Sequence, residues 1–392
     1  MGLSADFKKY VSATFPEACT PPSGAPHGVV IDSMVLLHSF VPREDDGEPA
    51  QRLVDTLFAA VRGARAAAFC FDVSANTPAA KEMEWKKRPK PAYVVTEASI
   101  TEHLMLDLLP DYASLIASRG ARTLLCQWLV DELVGRMRFD PALEALYFIG
   151  ASETPVVYRR AHPGGAISAT QRLDLLKSYH GEADISGIYA AHVLKDECGV
   201  ESVELRTSDT DWVVIGMLNA FPGLRTRLQH FDRASRSFVS WHCNLPALTN
   251  AVHTKYGINE QEFALLALSK GSDYVEKSIA AFPDWGMYMD ATSRALRAVK
   301  ARRGSEIVTK TTVDALALHT VLVEASETKK RCKLNYSKGD GHLQRLGWNL
   351  LYVQNAPLRG GHRLDCTNGF GWSRQNGDIN HVKIYKDVVT FV

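Results

Sequence analysis

The sequence predicts an α/β fold, a central, mostly parallel twisted sheet flanked by helices, and three observations carry that prediction. First, GVVID (28–32) and AAFCFD (67–72) are continuous apolar runs instead of alternating ones, the mark of parallel strands buried on both faces. Second, a helix-period pattern over 51–65 joins them, which makes a βαβ unit with a parallel pair. Third, acids end or open the apolar elements: Asp32, Asp72, Glu182 with Asp184, Asp209 with Asp211, and Asp273. Open α/β sheets place their ligands at such strand ends and helix starts, where helix dipoles favour negative charge.

Each element follows in order. Residues 3–19 read as an amphipathic helix, with Phe7, Tyr10, Val11 and Phe15 spaced at three and four. The stretch 73–180 is mixed and mostly helical; ARTLLCQWLVDELVGRM (121–137) is its clearest helix, and TPVVYRR (154–160) reads as a strand. A helix starts near Glu182 and runs to about Lys195, SVELRT (202–207) returns as a strand, and Asp209 and Asp211 open the helix DWVVIGMLNA. LRTRLQHF and RSFVSWHC (224–243) form a strand pair, and helices occupy 246–256, 259–270 and 274–303. Beyond about 305 the chain shows strand-like endings and Gly-rich turns without a clear order.

Composition is that of a soluble globular protein, at 46% hydrophobic and 23% charged, and no apolar run reaches the length of a membrane span. The start lacks the apolar core of a secretory signal. Seven scattered cysteines without a CxxC pair point to reduced thiols and away from a zinc site. An intracellular protein is expected, of nucleus or cytoplasm, or of a viral factory if viral. Net charge is only +1, yet from Lys300 onward there are 15 Lys+Arg against 8 Asp+Glu. A second basic cluster, KEMEWKKRPKP, follows Asp72 and holds Lys81, Lys86, Lys87, Arg88 and Lys90. Such clusters are solvated faces or phosphate contacts.

Carboxylates at the ends of buried elements are costly unless a cation meets them. A single Asp closing a strand is ordinarily a turn or helix cap. Seven on five segments, converging on one point, would build an all-oxygen cage for Mg²⁺ or Mn²⁺. His38, on an apolar stretch, is either a satisfied core histidine or a ring that stacks on a base. Trp212, Trp241, Trp348 and Trp372 read first as core.

The acids stand in segments that resemble a known family. HGEADISGIYAAHV looks like the EAE-type helix of the flap-endonuclease superfamily of 5′ nucleases, and TSDTDWVVIG resembles its T/S-x-D-x-D loop. YGINEQEFALLALSKGSDYVE is similar to its segment ending in LLGSDY, and VVIDSMVLLH and FCFD match its first two acid strands. The matches span 2–276 in family order. Two features lean towards the related 5′→3′ exoribonuclease branch. MGLSADFKKYVSATFPEA resembles that branch's start, and the six-residue step from Asp32 to His38 matches its D-x-N-x-x-x-H strand, whose ring stacks on the terminal base. The chain is too short for that branch's C-terminal modules, and GSDY is flap-endonuclease wording. After GSDY the flap enzymes' GIGPKRA-like hairpin is missing, which puts duplex anchoring by that device in doubt. No sliding-clamp tail is visible. RLGWNLLYVQNA and NGFGW resemble nucleases encoded by large DNA viruses.

The resemblance implies a PIN-like α/β nuclease over 1–303, with a helical arch or lid at about 86–150 and a basic C-terminal extension over 304–392. It implies two Mg²⁺ or Mn²⁺ ions, one held by Asp32, Asp72, Glu182 and Asp184, the other by Asp209, Asp211 and Asp273. The family's phosphate-clamping Lys and Arg map onto Lys81, with a two-residue insertion, and Arg88. Lys86 and Lys87 are helpers, and Gly2 lies against the scissile phosphate. The expected partner is nucleic acid, a DNA flap or end, or alternatively 5′-phosphorylated RNA, with no membrane partner. A third possibility is a nuclease-fold scaffold that binds nucleic acid or protein without cutting.

Overall fold

The computed structural model describes residues 5–42, 48–72, 112–152, 154–172, 175, 183–232, 237–270, 280–282, 284–303, 333–334, 372–375 and 378–381. Their centre is an eight-stranded sheet. Its strands are β1 (Gly28–Asp32), β2 (Ala66–Cys70), β3 (Ala145–Ile149), β4 (Val156–Arg160), β5 (Ile167–Gln171), β6 (Val203–Thr207), β7 (Leu224–Asp232) and β8 (Ser237–Asn244). Their order is β5-β4-β3-β2-β1-β6-β7-β8. The middle five, β3-β2-β1-β6-β7, pair in parallel, and β4, β5 and β8 close the two edges antiparallel. The chain thus builds outward from β1 to one side and then returns to pair β6 on the other. The gap between the C-terminal ends of β1 and β6 is a topological switch point, where α/β sheets leave a crevice for a ligand.

Every residue of β1, β2 and β3 is buried, because helices cover both faces. On one face Val29, Ile31, Ala67, Phe69 and Phe148 pack under α2 (Ser33–Ser39), α3 (Pro49–Ala59), α4 (Tyr112–Ala117) and α5 (Arg119–Met137). On the other, Val30, Ala68, Cys70 and Leu205 pack under α6 (Ala183–Cys198), α7 (Asp211–Leu218), α8 (Leu245–Tyr256) and α9 (Glu260–Ser269). The mostly parallel α/β sheet expected from sequence is what the chain forms, and it is consistent with a PIN-like fold.

Local chemistry sets several boundaries. Pro16 ends the first helix, α1 (Ala5–Thr14), and a short 3₁₀ turn, Pro16–Cys19, completes what the sequence reads as one helix to 19. Asn259 caps α9 in a reciprocal box with Glu262. α1 is fixed by aromatic contacts to α10 (Trp285–Arg303), with the Phe7 and Trp285 rings 5.0 Å apart, and the Tyr10 and Tyr256 hydroxyls share a 2.6 Å hydrogen bond.

Four elements depart from the sequence reading. The step from Asp32 to His38 is helical: Asp32 ends β1 and N-caps α2. The stretch 145–149, expected within a mostly helical region, is an inner strand, and 167–171 is an edge strand. The helix expected over 274–303 begins at Trp285, after the two-residue strand Ala280–Ala281.

Candidate metal centre

Five of the seven singled-out acids fall on described residues, and all five sit at the C-terminal edge of the parallel sheet. Asp32 closes β1, Asp72 stands two residues past β2, and Asp209 two residues past β6. Asp184 and Asp211 lie in the first turns of α6 and α7, the positive ends of those helices.

Hydrogen bonds tie the segments together. The Thr207 hydroxyl donates to Asp32 Oδ2 at 3.0 Å and accepts from the Asp209 backbone N–H at 3.0 Å. Asp209 Oδ1 then accepts from the Asp211 N–H at 2.9 Å. One threonine therefore positions carboxylates from two strands across the switch point. Asp72 Oδ1 accepts from the Ala183 N–H at 2.7 Å, satisfying a donor of the α6 N-terminus that the helix itself leaves open. Arg122, on α5, donates to the backbone carbonyl of Asp72 at 3.4 Å.

One carboxylate oxygen each from Asp184, Asp209 and Asp211 lie within 4.8 Å of one another. Asp184 and Asp211 are buried and Asp209 half-buried. Asp32 joins the same field, because Asp72, Asp209 and Asp184 all act on its charge. Around an octahedral Mg²⁺, bonds of about 2.1 Å put adjacent oxygens about 3 Å apart and opposite ones about 4.2 Å apart. The observed spread fits that shell after small side-chain rotations. Burial holds the neighbouring Cys70 thiol well above its usual range, and among the described residues the grouped donors are carboxylate oxygens. Hard oxygen donors suit Mg²⁺ or Mn²⁺ and not zinc or copper.

Burial raises the Asp32 carboxyl well above the ordinary carboxylate range, with Asp72 adding to the rise, the Thr207 hydrogen bond opposing it, and Asp209 and Asp184 contributing further. A raised folded value means that the native state keeps a proton the unfolded chain has lost. The resulting stability is complete below the unfolded value, near 3.9, and is lost as pH rises through the folded one. In EDTA, the urea midpoint is therefore expected to fall as pH rises above about 4, and Asp32→Asn to flatten that fall. Urea melts in a pH series check it; a wild-type midpoint that climbs over this range would show the carboxylates are not crowded.

Glu182, Asp273, Lys81, Arg88, Lys86, Lys87 and Gly2 lie outside the described residues. His38 is described and sits exposed on the last turn of α2, which rules out the core-histidine reading. Trp212 is core, and Trp241 is half-buried against it with its indole N–H on Ser12 Oγ at 2.7 Å. Trp348 lies outside the described residues. Two positioning residues carry no assignment from sequence. Thr207 has a partial signal, since it stands in the quoted TSDTD segment. Arg122 has none, since an arginine inside a helix announces no partner.

Sheet and site together define an α/β protein with an all-carboxylate candidate metal centre at its switch point. No family model and no curated protein matches this sequence. Among solved structures, the T5 D15 protein, co-crystallised with metal ions, is similar over 86% of this chain and 92% of that one, at 13% identity and a TM-score of 0.34. A likeness that loose carries neither fold nor chemistry, which rest here on strand order and on the carboxylates. No helix among the described residues is long and apolar enough to cross a membrane.

Proposed function

We propose that this chain is a divalent-metal-dependent 5′ nuclease that hydrolyses phosphodiester bonds in DNA flaps or ends, leaving a 5′-phosphate and a 3′-hydroxyl. The observation that carries the reading is the gathering of buried carboxylates from separate segments at the switch point, with three oxygens inside 4.8 Å. Two divalent ions held there would supply an activated water and neutralise the charge developing on phosphorus. Asp209 and Asp211, with Asp273, hold one ion. Asp32 and Asp72, with Glu182, would hold the other, and Asp184, which lies within 4.8 Å of Asp209 and Asp211 and acts on the charge of Asp32, would serve either ion. Lys81 and Arg88 clamp the phosphate, aided by Lys86 and Lys87, and Gly2 leaves room beside it. Thr207 keeps the β1 and β6 acids in register.

A second reading, an RNA-directed nuclease acting on 5′-monophosphate ends, is favoured by His38. The residue is exposed on α2, six residues after Asp32, the step at which the exoribonuclease branch stacks a ring on a terminal base.

The test is incubation with Mg²⁺ or Mn²⁺ and 5′-flap DNA, blunt duplex, single-stranded DNA or 5′-monophosphate RNA. Product lengths distinguish endonuclease from exonuclease action, and the cleaved substrate distinguishes DNA from RNA. Failure to cut all four would overturn the nuclease reading and leave a scaffold of nuclease fold.

A further inference from the structure

A second polar arrangement lies on the sheet face that does not hold Thr207, across β6, β7 and β8. Val203, Leu205, Leu224, Leu228 and Cys243 point into the core under α7 and α8. Strand alternation therefore sends Glu204, Arg206, Arg225, Arg227, Gln229, Ser240 and His242 to the opposite face. The register sets Arg206 opposite Arg227, and Arg227 opposite His242. These three form one row across adjacent strands, about 4.8 Å from one to the next.

The charges on this face do not balance. Glu204, whose side chain is 3% exposed, is the shared carboxylate: Arg206 Nε lies 2.7 Å from it, Arg225 Nε 3.4 Å and Arg227 Nη1 4.0 Å. Among the described residues the other contacts are neutral. Arg206 donates to the Ala60 carbonyl, Arg225 to the Gly24 carbonyl at 3.2 Å, and Arg227 Nε to Ser240 Oγ at 3.1 Å. Glu204 is also the acid that acts on both Arg227 and His242, whereas Arg206 acts on each of them as a like charge. Among the described residues, three guanidiniums on one carboxylate leave an excess of two positive charges in side chains only 14–30% exposed. Holding such an excess half out of water is costly without an anion.

A planar guanidinium fork matches a phosphate bidentately. The row also begins beside the carboxylates: Arg206 precedes Thr207 directly and Asp209 by three residues, at most about 11 Å of chain. We propose that Arg206, Arg225 and Arg227, edged by Gln229 and His242, form a phosphate-binding face that takes the backbone of a nucleic-acid strand passing the carboxylate site. This rests on the nuclease reading and adds to it a binding surface separate from the carboxylates.

The experiment measures binding of fluorescein-labelled single-stranded and duplex oligonucleotides by anisotropy, in EDTA, across a salt series. Arg227→Gln leaves Glu204 its two closer arginines, and removing one phosphate contact is expected to weaken binding about tenfold near 0.1 M salt and to lower the slope of log K against log salt by about 1. Gln229→Lys, which adds a charge on the next rung, is expected to tighten binding and steepen the slope. The second variant keeps the test valid if the first folds poorly. If wild type binds and both variants match it in affinity and slope, the phosphate face is overturned while the nuclease reading stands. If wild type binds no oligonucleotide, the nuclease reading falls first and this face with it.

Discussion

Replacing Asp209 and Asp211 together by Asn is expected to cut metal-dependent cleavage by about 10³-fold or more, while leaving the metal-free protein at least as stable as wild type. The two halves of that result have one cause. With Asp184, these carboxylates place oxygens within 4.8 Å of one another, close enough to share an ion and close enough to repel without one. Asparagine keeps the shape, and its side-chain oxygen at 209 can still accept the 2.9 Å bond from the 211 N–H. Under the proposed nuclease reading, what it removes is the negative charge that would hold the ions, and with them the positive charge that would face the phosphate in the transition state. Such electrostatic stabilisation is a dominant source of enzymatic rate enhancement. Binding supplies a readout independent of cleavage. Saturating Mg²⁺ or Mn²⁺, at about 100 times Kd, should stabilise wild type by about 2.7 kcal/mol and raise its melting temperature; the double variant should show no rise. Unchanged cleavage together with an unchanged metal-induced shift would dissolve the candidate centre.

How far the sequence foretold this site depends on what kind of signal each part leaves. GVVID and AAFCF are legible because strands buried on both faces are apolar throughout, and their acids are legible because they break those runs. SMVLLHS is ambiguous, since a short apolar run fits a strand or a buried helix equally; the deciding fact is that Asp32 accepts from the Val35 N–H and starts a helix. ALYFI has the same apolar character as β1 but follows a 19-residue helix and is absorbed into it on reading. ISATQ, mostly exposed at the sheet edge, carries no apolar signal at all. Thr207, Arg122 and the Arg206–Arg227–His242 row are harder still. Their partners lie on other elements, and strand register, or for Arg122 the packing of a helix on the sheet, brings them together. Polar residues that act through register have no local pattern to betray them.

Gly187→Ala is expected to destabilise the fold by about 1–3 kcal/mol or more and to weaken the candidate metal centre, although Gly187 itself offers it no ligand. A Cβ at 187 would lie 2.1 Å from Trp212 Cη2 and 2.5 Å from Cζ3. The ring cannot yield easily, because Trp212 is 1% exposed in the core. α6 and α7 must then separate, and these are the helices that carry Asp184, three residues before Gly187, and Asp211, next to Trp212. Displacing supports of metal ligands typically costs about 10–100-fold in affinity, so the variant should lose both melting temperature and Mg²⁺ response. Gly216→Ala gives the contrast: its Cβ would meet Leu245 Cδ1 at 2.7 Å, the far end of a flexible side chain, and the loss should be smaller. Adding Trp212→Phe to Gly187→Ala should recover part of the loss, with a coupling of about 0.5–3 kcal/mol in the double-mutant cycle. Urea melts and metal titrations of the four proteins of that cycle read it directly. Strict additivity would mean that the glycine and the tryptophan act separately and that their contact does not set the spacing of Asp184 and Asp211.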